Sequence, residues 1–341
     1  MHSLMIKSSI KDYKVFFNTV EIENLHKLGS HFLIDKRVYD LYNLDLPNVF
    51  LIEAVEFNKN YNYVEVILKF LLDTKFRKND KLVAIGGGIV QDLTSFIATI
   101  WMRGINWIFV PSTLLAQTDS CIGSKSSLNF GEVKNILGTF NPPDSIYILF
   151  DFLKTLDWKD INSGLGEILK FNIMKNETID YESIINNLPN HIHKSLCYKK
   201  EYIEIDEFDK RERQLLNFGH CVGHAIETAS NYNIPHGVAV TMGIDILNKV
   251  SKDLYYISAD IFEKYHQILF KNYAYFLPNN IDGEKFFFAI KNDKKNTKDK
   301  LNLIMLTSQN VEKKSFENVD EMLGKIVDTF KELNFKLNFN Y

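Results

Sequence analysis

Short runs of branched and aromatic residues recur through the first half of the chain: HFLID at 31–35, VFLIEAV at 49–55, KLVAIGGG at 81–88 and WIFVPST at 107–113. Each is almost continuously apolar, and segments of helical periodicity lie between them. This alternation of β-rich runs with helix-like segments predicts a parallel α/β sheet. After about Leu156 such runs fade. Long amphipathic segments replace them, namely GLGEILKFNIM (164–174), ERQLLNFGHCVGHAIETAS (212–230) and GVAVTMGIDILNKVSKDL (237–254). The expected architecture is an α/β lobe over residues 1–156 and a mainly α-helical lobe over 157–341. No linker rich in proline, glycine or serine separates them, which predicts close packing around a cleft.

Charge narrows the class of partner. The 341 residues carry a formal net charge of -3 with 24% charged side chains, so no overall field favours nucleic acid or an anionic membrane, and a small molecule is expected. No stretch reaches the roughly 18 apolar residues of a membrane span. The first residues, MHSLMIKSSIKDYK, lack the apolar core of a signal peptide. Cys121, Cys197 and Cys221 are odd in number and show no CxxC spacing, which points to a reducing, cytoplasmic setting.

Three constellations carry chemistry. Gly86, Gly87 and Gly88 end a strand and open a helix, a turn where bare backbone can approach a pyrophosphate and free N–H groups can bind it. This is not the GxGxxG fingerprint of ordinary dinucleotide-binding folds. Glu167 lies in a helical segment, His220 and His224 are four apart on another, and His236 follows in PHGVAV. One carboxylate and two imidazoles form a common catalytic zinc set, so three histidines compete for two places. Cations form the third group: Lys125 and Lys134 beside Asn135 in glycine-bounded segments taken as loops, Lys170 one turn beyond Glu167, and Arg213 with Asn217 expected on the helix face of the histidine pair. Their convergence calls for an anionic ligand.

The stretches AIGGGIVQDLTSFIATIWMRG, VPSTLLAQTDSCIGSKSSLN, KNILGTF, FLKTL, GLGEILKF, RERQLLNFGHCVGHAIE and PHGVAV resemble, in order and spacing, the 3-dehydroquinate synthase family of sugar-phosphate cyclases. The resemblance implies an N-terminal Rossmann-like nucleotide-binding lobe, a C-terminal metal-binding lobe, NAD and a divalent metal, zinc or cobalt, as cofactors, and a homodimer. Metal ligands would be Glu167, His220 and His236, with His224 left for proton transfer. NAD contacts would be Asp35, Glu56, Lys59, Gly87, Gly88, Ile89, Asp92, Ser112, Thr113, Asp119, Thr155 and Leu156. The phosphorylated keto-sugar would meet Asp119, Lys125, Lys134, Asn135, Lys170, Lys199, Arg213, Asn217, His224 and Lys294, with Arg103 reaching its phosphate across the dimer.

The implied reaction converts 3-deoxy-D-arabino-heptulosonate 7-phosphate to 3-dehydroquinate through transient oxidation by NAD, phosphate elimination, re-reduction and an intramolecular aldol. The chain departs from the family pattern at Arg37, Gln91, Ser124 and Val238. These departures leave room for another sugar phosphate such as sedoheptulose 7-phosphate. A metal-dependent polyol dehydrogenase is a further alternative, but it has no use for the cation cluster.

Overall fold

The computed structural model describes residues 3–131, 133–277, 281–291, 300–333 and 335–338. The chain forms two compact units, residues 1–157 with 196–209, and residues 158–195 with 210–341.

The first unit is built on seven strands: β1 (Ser3–Ile6), β2 (Tyr13–Phe17), β3 (His31–Asp35), β4 (Val49–Ile52), β5 (Leu82–Gly86), β6 (Trp107–Pro111) and, after an antiparallel hairpin of β7 (Lys125–Phe130) and β8 (Val133–Phe140), β9 (Ser145–Ile148). The sheet order is β1-β2-β9-β6-β5-β3-β4, with every neighbouring pair parallel except β1 and β2. The four apolar runs therefore do form adjacent parallel strands. β5 and β6 are buried along their whole length, which explains why their sequences lack alternation. Phe32, Ile34, Val83, Ile85, Ile108 and Val110, spaced by two within each strand, share one core with Leu149 and Phe152.

Helices α1 (Lys36–Tyr42), α2 (Tyr61–Asp73) and α3 (Gly88–Ile100) follow β3, β4 and β5. From β3 the chain steps outward to β4, then returns to β5 on the other side, which makes a topological switch point. Register pairs Asp35 with Ile52, Ile34 with Ile85 and Gly86 with Pro111. The carboxyl ends of β3, β5 and β6 are thus level there, where ligands of open α/β sheets bind.

The second unit holds α4 (Trp158–Met174), α5 (Tyr181–Asn186) and the start of α6 (Leu188–Ile205), followed by α7 (His220–Ala229), α8 (His236–Asp253), α9 (Ala259–Tyr273), α10 (Gly283–Lys291) and α11 (Val319–Glu332). It also holds two short strand pairs, a parallel one of β10 (Ile281–Asp282) with β13 (Leu337–Asn338) and a hairpin of β11 (Leu301–Leu306) with β12 (Val311–Phe316). α8 is the hub of this unit, buried from Gly237 to Ser251 and packed against α4, α7, α9 and α11.

One segment departs from the expected division. Leu196–Asp209, expected in the helical lobe, belongs to the first unit. The reason is polar: Lys199 pairs with Asp119, while Glu204 and Glu207 accept from the backbone N–H groups of Lys7 and Ser9. Helical periodicity cannot reveal that the two halves of one helix serve different cores.

Candidate active site

The glycine turn sits at the switch point. Gly87 caps α3 and Gly88 and Ile89 are its first residues, so their backbone N–H groups have no helical partner. A Cβ on Gly86 would lie 2.5 Å from Val90 Cγ2, and one on Gly87 would lie 3.1 Å from Thr113 Cγ2. Close packing therefore holds position 86 to glycine, while at 87 a side chain would need Thr113 to shift by a few tenths of an ångström. Ser112 donates its N–H to Gly86 O at 2.9 Å, which joins the ends of β5 and β6. Asp35 caps α1 by accepting from Arg37 N at 2.9 Å, and burial raises its pKa against the pull of that contact. Thr155 Oγ1 lies 3.0 Å from Tyr42 Oη on α1, and Leu156 ends the same turn.

Glu56, Lys59, Asp92, Lys134 and Asn135 form one network. Lys59 Nζ is 2.7 Å from Asp92, whose carboxylate also accepts from Ser127 N and Oγ at 3.1 Å each. Asn135 Oδ1 lies 2.9 Å from the same Ser127 Oγ, so it and Asp92 share that hydroxyl's single proton. Glu56 Oε1 faces Lys134 Nζ at 3.3 Å and accepts from Asn129 Nδ2 at 2.9 Å. Burial raises the Asp92 pKa, opposed by Lys59. Burial acts in the same direction on Glu56, but Lys59, Asn129 and Lys134 prevail and lower it. Lys125 and Lys134 do not lie in loops: Lys125 opens β7, Lys134 is in β8, and Lys125 Nζ is 2.6 Å from Asp209. Nothing local in this Ser/Asn-rich stretch announces a hairpin; cross-strand pairing decides it. Asp119 lies in a π-helical turn (Ala116–Ser120), with Lys199 Nζ 2.7 Å from its carbonyl oxygen.

In the second unit, glycines bring the metal-ligand candidates together. A Cβ on Gly166 would fall 2.0 Å from Gly237 O, and one on Gly237 would fall 1.8 Å from Ser163 O, so α4 and α8 touch backbone to backbone. A Cβ on Gly243 would fall 2.2 Å from Gly219 O, and one on Gly223 would fall 2.9 Å from Ala239 O. Glu167, His220, His224 and His236 are each next to one of these contact glycines. A larger residue at any of these contacts would push the side chains apart.

Glu167 is fully buried and ion-paired with the equally buried Lys170. Its Oε1, which has no hydrogen-bond partner, lies 3.6 Å from His220 Nε2 and 3.5 Å from His236 Nε2. The nitrogens of His220, His224 and His236 lie within 4.8 Å of one another. His220 Nδ1 is 3.1 Å from Phe218 O and His236 Nδ1 is 3.0 Å from Glu227 Oε2. Donating through Nδ1 leaves the Nε2 lone pair of His220 aimed at the carboxylate oxygen, and that of His236 becomes available once its Nε2 proton leaves. Acceptors facing one another across about 3.5 Å fit a shared cation, because tetrahedral ligands at about 2.1 Å from zinc stand roughly 3.4 Å apart. Burial, then Lys170, pushes His220 well below the usual imidazole range, so it is neutral and ready to ligate. Burial would do the same to His236, but Glu227 and Glu167 outweigh it and raise its pKa to about 10. Metal uptake therefore has to displace that proton.

Arg213 and Asn217 are not on the helix of the histidines, as the spacing had suggested. They lie in a 3₁₀ turn (Glu212–Asn217), and Gly219 at φ +77° breaks the chain before α7. A Cβ there would meet Ile244 and Val240 O at 2.4 and 2.7 Å, so both its packing and its left-handed backbone call for glycine at this break. Arg213 is buried, while Arg103 is exposed in a kinked turn with φ +62°. Lys294 lies outside the described residues.

Residues 49–163 match the N-terminal model of 3-dehydroquinate synthase and residues 164–296 match the C-terminal one. The 3-dehydroquinate synthase of Clostridium tetani is 33% identical over 93% of this chain and 92% of its own length, and that of Campylobacter concisus is 32% identical over 89% and 92%. This chain belongs to the 3-dehydroquinate synthase family. Its fold matches a 2-deoxy-scyllo-inosose synthase solved with carbaglucose-6-phosphate, NAD+ and Co2+ (TM-score 0.84, 20% identity, 95% and 98% of the two chains). It also matches the 2-epi-5-epi-valiolone synthase of Streptomyces hygroscopicus solved with NAD+ and Zn2+ (TM-score 0.79, 20% identity, 96% and 99%).

Membership in the family gives the departures a physical reading. Ser124, where 3-dehydroquinate synthases usually have glycine, is buried at φ +63°, a conformation that costs non-glycine residues about 1 kcal/mol or more. Ser124→Gly should raise stability by roughly that amount, read as a higher melting temperature. Arg37 faces Asp157 at 3.6 Å with both side chains about half exposed, a contact of small energy.

Sequence reasoning missed Glu227, Asn129 and Ser127. Glu227 could have been found, because it lies seven residues after His220 and three after His224, on their helix face. Its carboxylate holds the His236 ring, and such partners are worth about 10–100-fold in metal affinity. Glu227→Gln should weaken zinc or cobalt binding by that factor in a competitive chelator titration.

Proposed function

We propose that this chain is a sugar-phosphate cyclase that converts 3-deoxy-D-arabino-heptulosonate 7-phosphate to 3-dehydroquinate and inorganic phosphate, with NAD and a divalent metal as cofactors. Its main support is the buried Glu167 facing His220 and His236 with the exposed His224 beside them, in a member of this family. A divalent ion held by Glu167, His220 and His236 would polarise a substrate hydroxyl, and NAD at the Gly87–Gly88 turn would accept and return a hydride, so the reaction has no net redox change.

The chain's own residues do the rest. His224, open to solvent and stacked 5.4 Å from His236, can pass a proton between substrate and water. Lys170 keeps Glu167 ionised and contributes positive charge. Lys125, Lys134 and Asn135 bind the phosphate, with Glu56 and Asp209 holding the two lysines in place until it arrives. Arg213 binds the carboxylate through its planar fork. The exposed Arg103 would serve a phosphate in a second copy of a homodimer. Among the described residues no helix is long and apolar enough to cross a membrane.

The test is phosphate release by purified protein with NAD and zinc or cobalt, from the heptulosonate phosphate and from sedoheptulose 7-phosphate. Release from the heptulosonate phosphate supports the assignment, whereas release from sedoheptulose 7-phosphate alone moves the chain to another cyclase. Arg213→Lys should lose roughly 1.5–3 kcal/mol in kcat/KM against the carboxylated substrate, since charge survives but the fork does not. An equal loss on both sugars would show that Arg213 reads no carboxylate.

A further inference from the structure

We infer that Gln91 is a positioning residue, whose side-chain amide clamps the turn carrying Asp119 to the glycine turn at the start of α3. The inference rests on reading Gly87, Gly88 and Asp119 as ligand contacts. Gln91, buried in the first turns of α3, donates from Nε2 to Ser120 O at 2.8 Å and accepts at Oε1 from Ser120 Oγ at 2.8 Å. Both ends of one amide thus engage a single residue. A space-filling role would not require this, and a buried amide left unpaired is costly.

The clamped segment needs outside support. It is a π-helical turn, a geometry that occurs mostly as short insertions, often at functional sites. Gln117 ties its near end by donating to Pro111 O and Leu149 O at 3.0 Å each. At its far end Lys199 holds Asp119, through the carbonyl oxygen at 2.7 Å and Oδ1 at 3.0 Å, and Gln91 holds the next carbonyl. Two consecutive carbonyls, of Asp119 and Ser120, are therefore held by two different elements, which fixes the backbone that carries the Asp119 carboxylate. Ser120 Oγ lies 4.0 Å from where a Cβ on Gly88 would stand, so the clamp adjoins the turn proposed to receive NAD. The two turns are thus tied together through a side chain.

The experiment compares Gln91→Met, which keeps volume but loses both hydrogen bonds, with Ser120→Ala and the double variant, all in holoenzyme. Two hydrogen bonds at the usual net value predict a loss of about tenfold in kcat and a several-fold weaker NADH affinity for Gln91→Met. The melting temperature should fall by only a few degrees, the size expected for about 2 kcal/mol in a chain of this length. The double variant should be no worse than Gln91→Met alone, because both changes cut one contact. Wild-type kcat and NADH affinity in Gln91→Met, or losses that multiply in the double variant, would overturn the inference. If the wild-type protein releases no phosphate from either sugar, the cyclase reading fails, and the NADH titration still decides the clamp by the same comparison.

Discussion

Glu167→Gln should leave the protein folded but without its metal, and phosphate release should fall by about a thousandfold or more, since a metal ion contributes several kcal/mol of charge stabilisation. The amide keeps the volume and a hydrogen-bond acceptor for Lys170, but it removes the anionic oxygen that faces His220 and His236 at 3.6 and 3.5 Å. Glu167→Ala should behave differently. Both variants take the carboxylate from the fully buried Lys170, but alanine also leaves its ammonium with no acceptor at this position, and breaking a buried pair this way costs about 3–5 kcal/mol. Metal analysis by mass spectrometry together with thermal melts separates the two effects. Full metal content in Glu167→Gln would remove Glu167 from the ligand set.

Gly237→Ala is the second large effect. The added methyl would stand 1.8 Å from Ser163 O, with Gly166 equally tight against Gly237 O from the other side, so α4 and α8 must part by more than an ångström. Overpacking of backbone against backbone has no rotamer to relieve it, and a loss of roughly 3 kcal/mol or more follows. Metal affinity should fall with it, because Glu167 and His236 ride on the two separated helices. Gly324→Ala is the control: on α11 an added Cβ meets nothing within 4 Å, so the same substitution should be neutral or stabilise by up to about 1 kcal/mol. If differential scanning finds the two alanines equivalent, the glycine contacts do not hold this centre together.

Much was readable from the chain alone, and for local reasons. The runs at 31–35, 49–55, 81–88 and 107–113 became β3, β4, β5 and β6, because a strand covered on both faces must be apolar throughout. The long periodic segments became α4, α7 and α8 for a comparable reason. The glycine turn and the proximity of His220 to His224 follow from backbone chemistry and helix pitch, and resemblance ordered the remaining candidates. Packing alone decided the rest. Gly219, left-handed at φ +77° and pressed against α8 where a Cβ has no room, separates Arg213 and Asn217 from the histidine helix. Leu196–Asp209 joins the first unit through Lys199 and Asp119, Lys125 and Lys134 fall on a hairpin, and Gln91 meets Ser120 across 29 residues of chain. Periodicity records which face of an element is buried. Which distant backbone that face touches depends on how closely two elements can approach, and here glycines at the crossings set that distance.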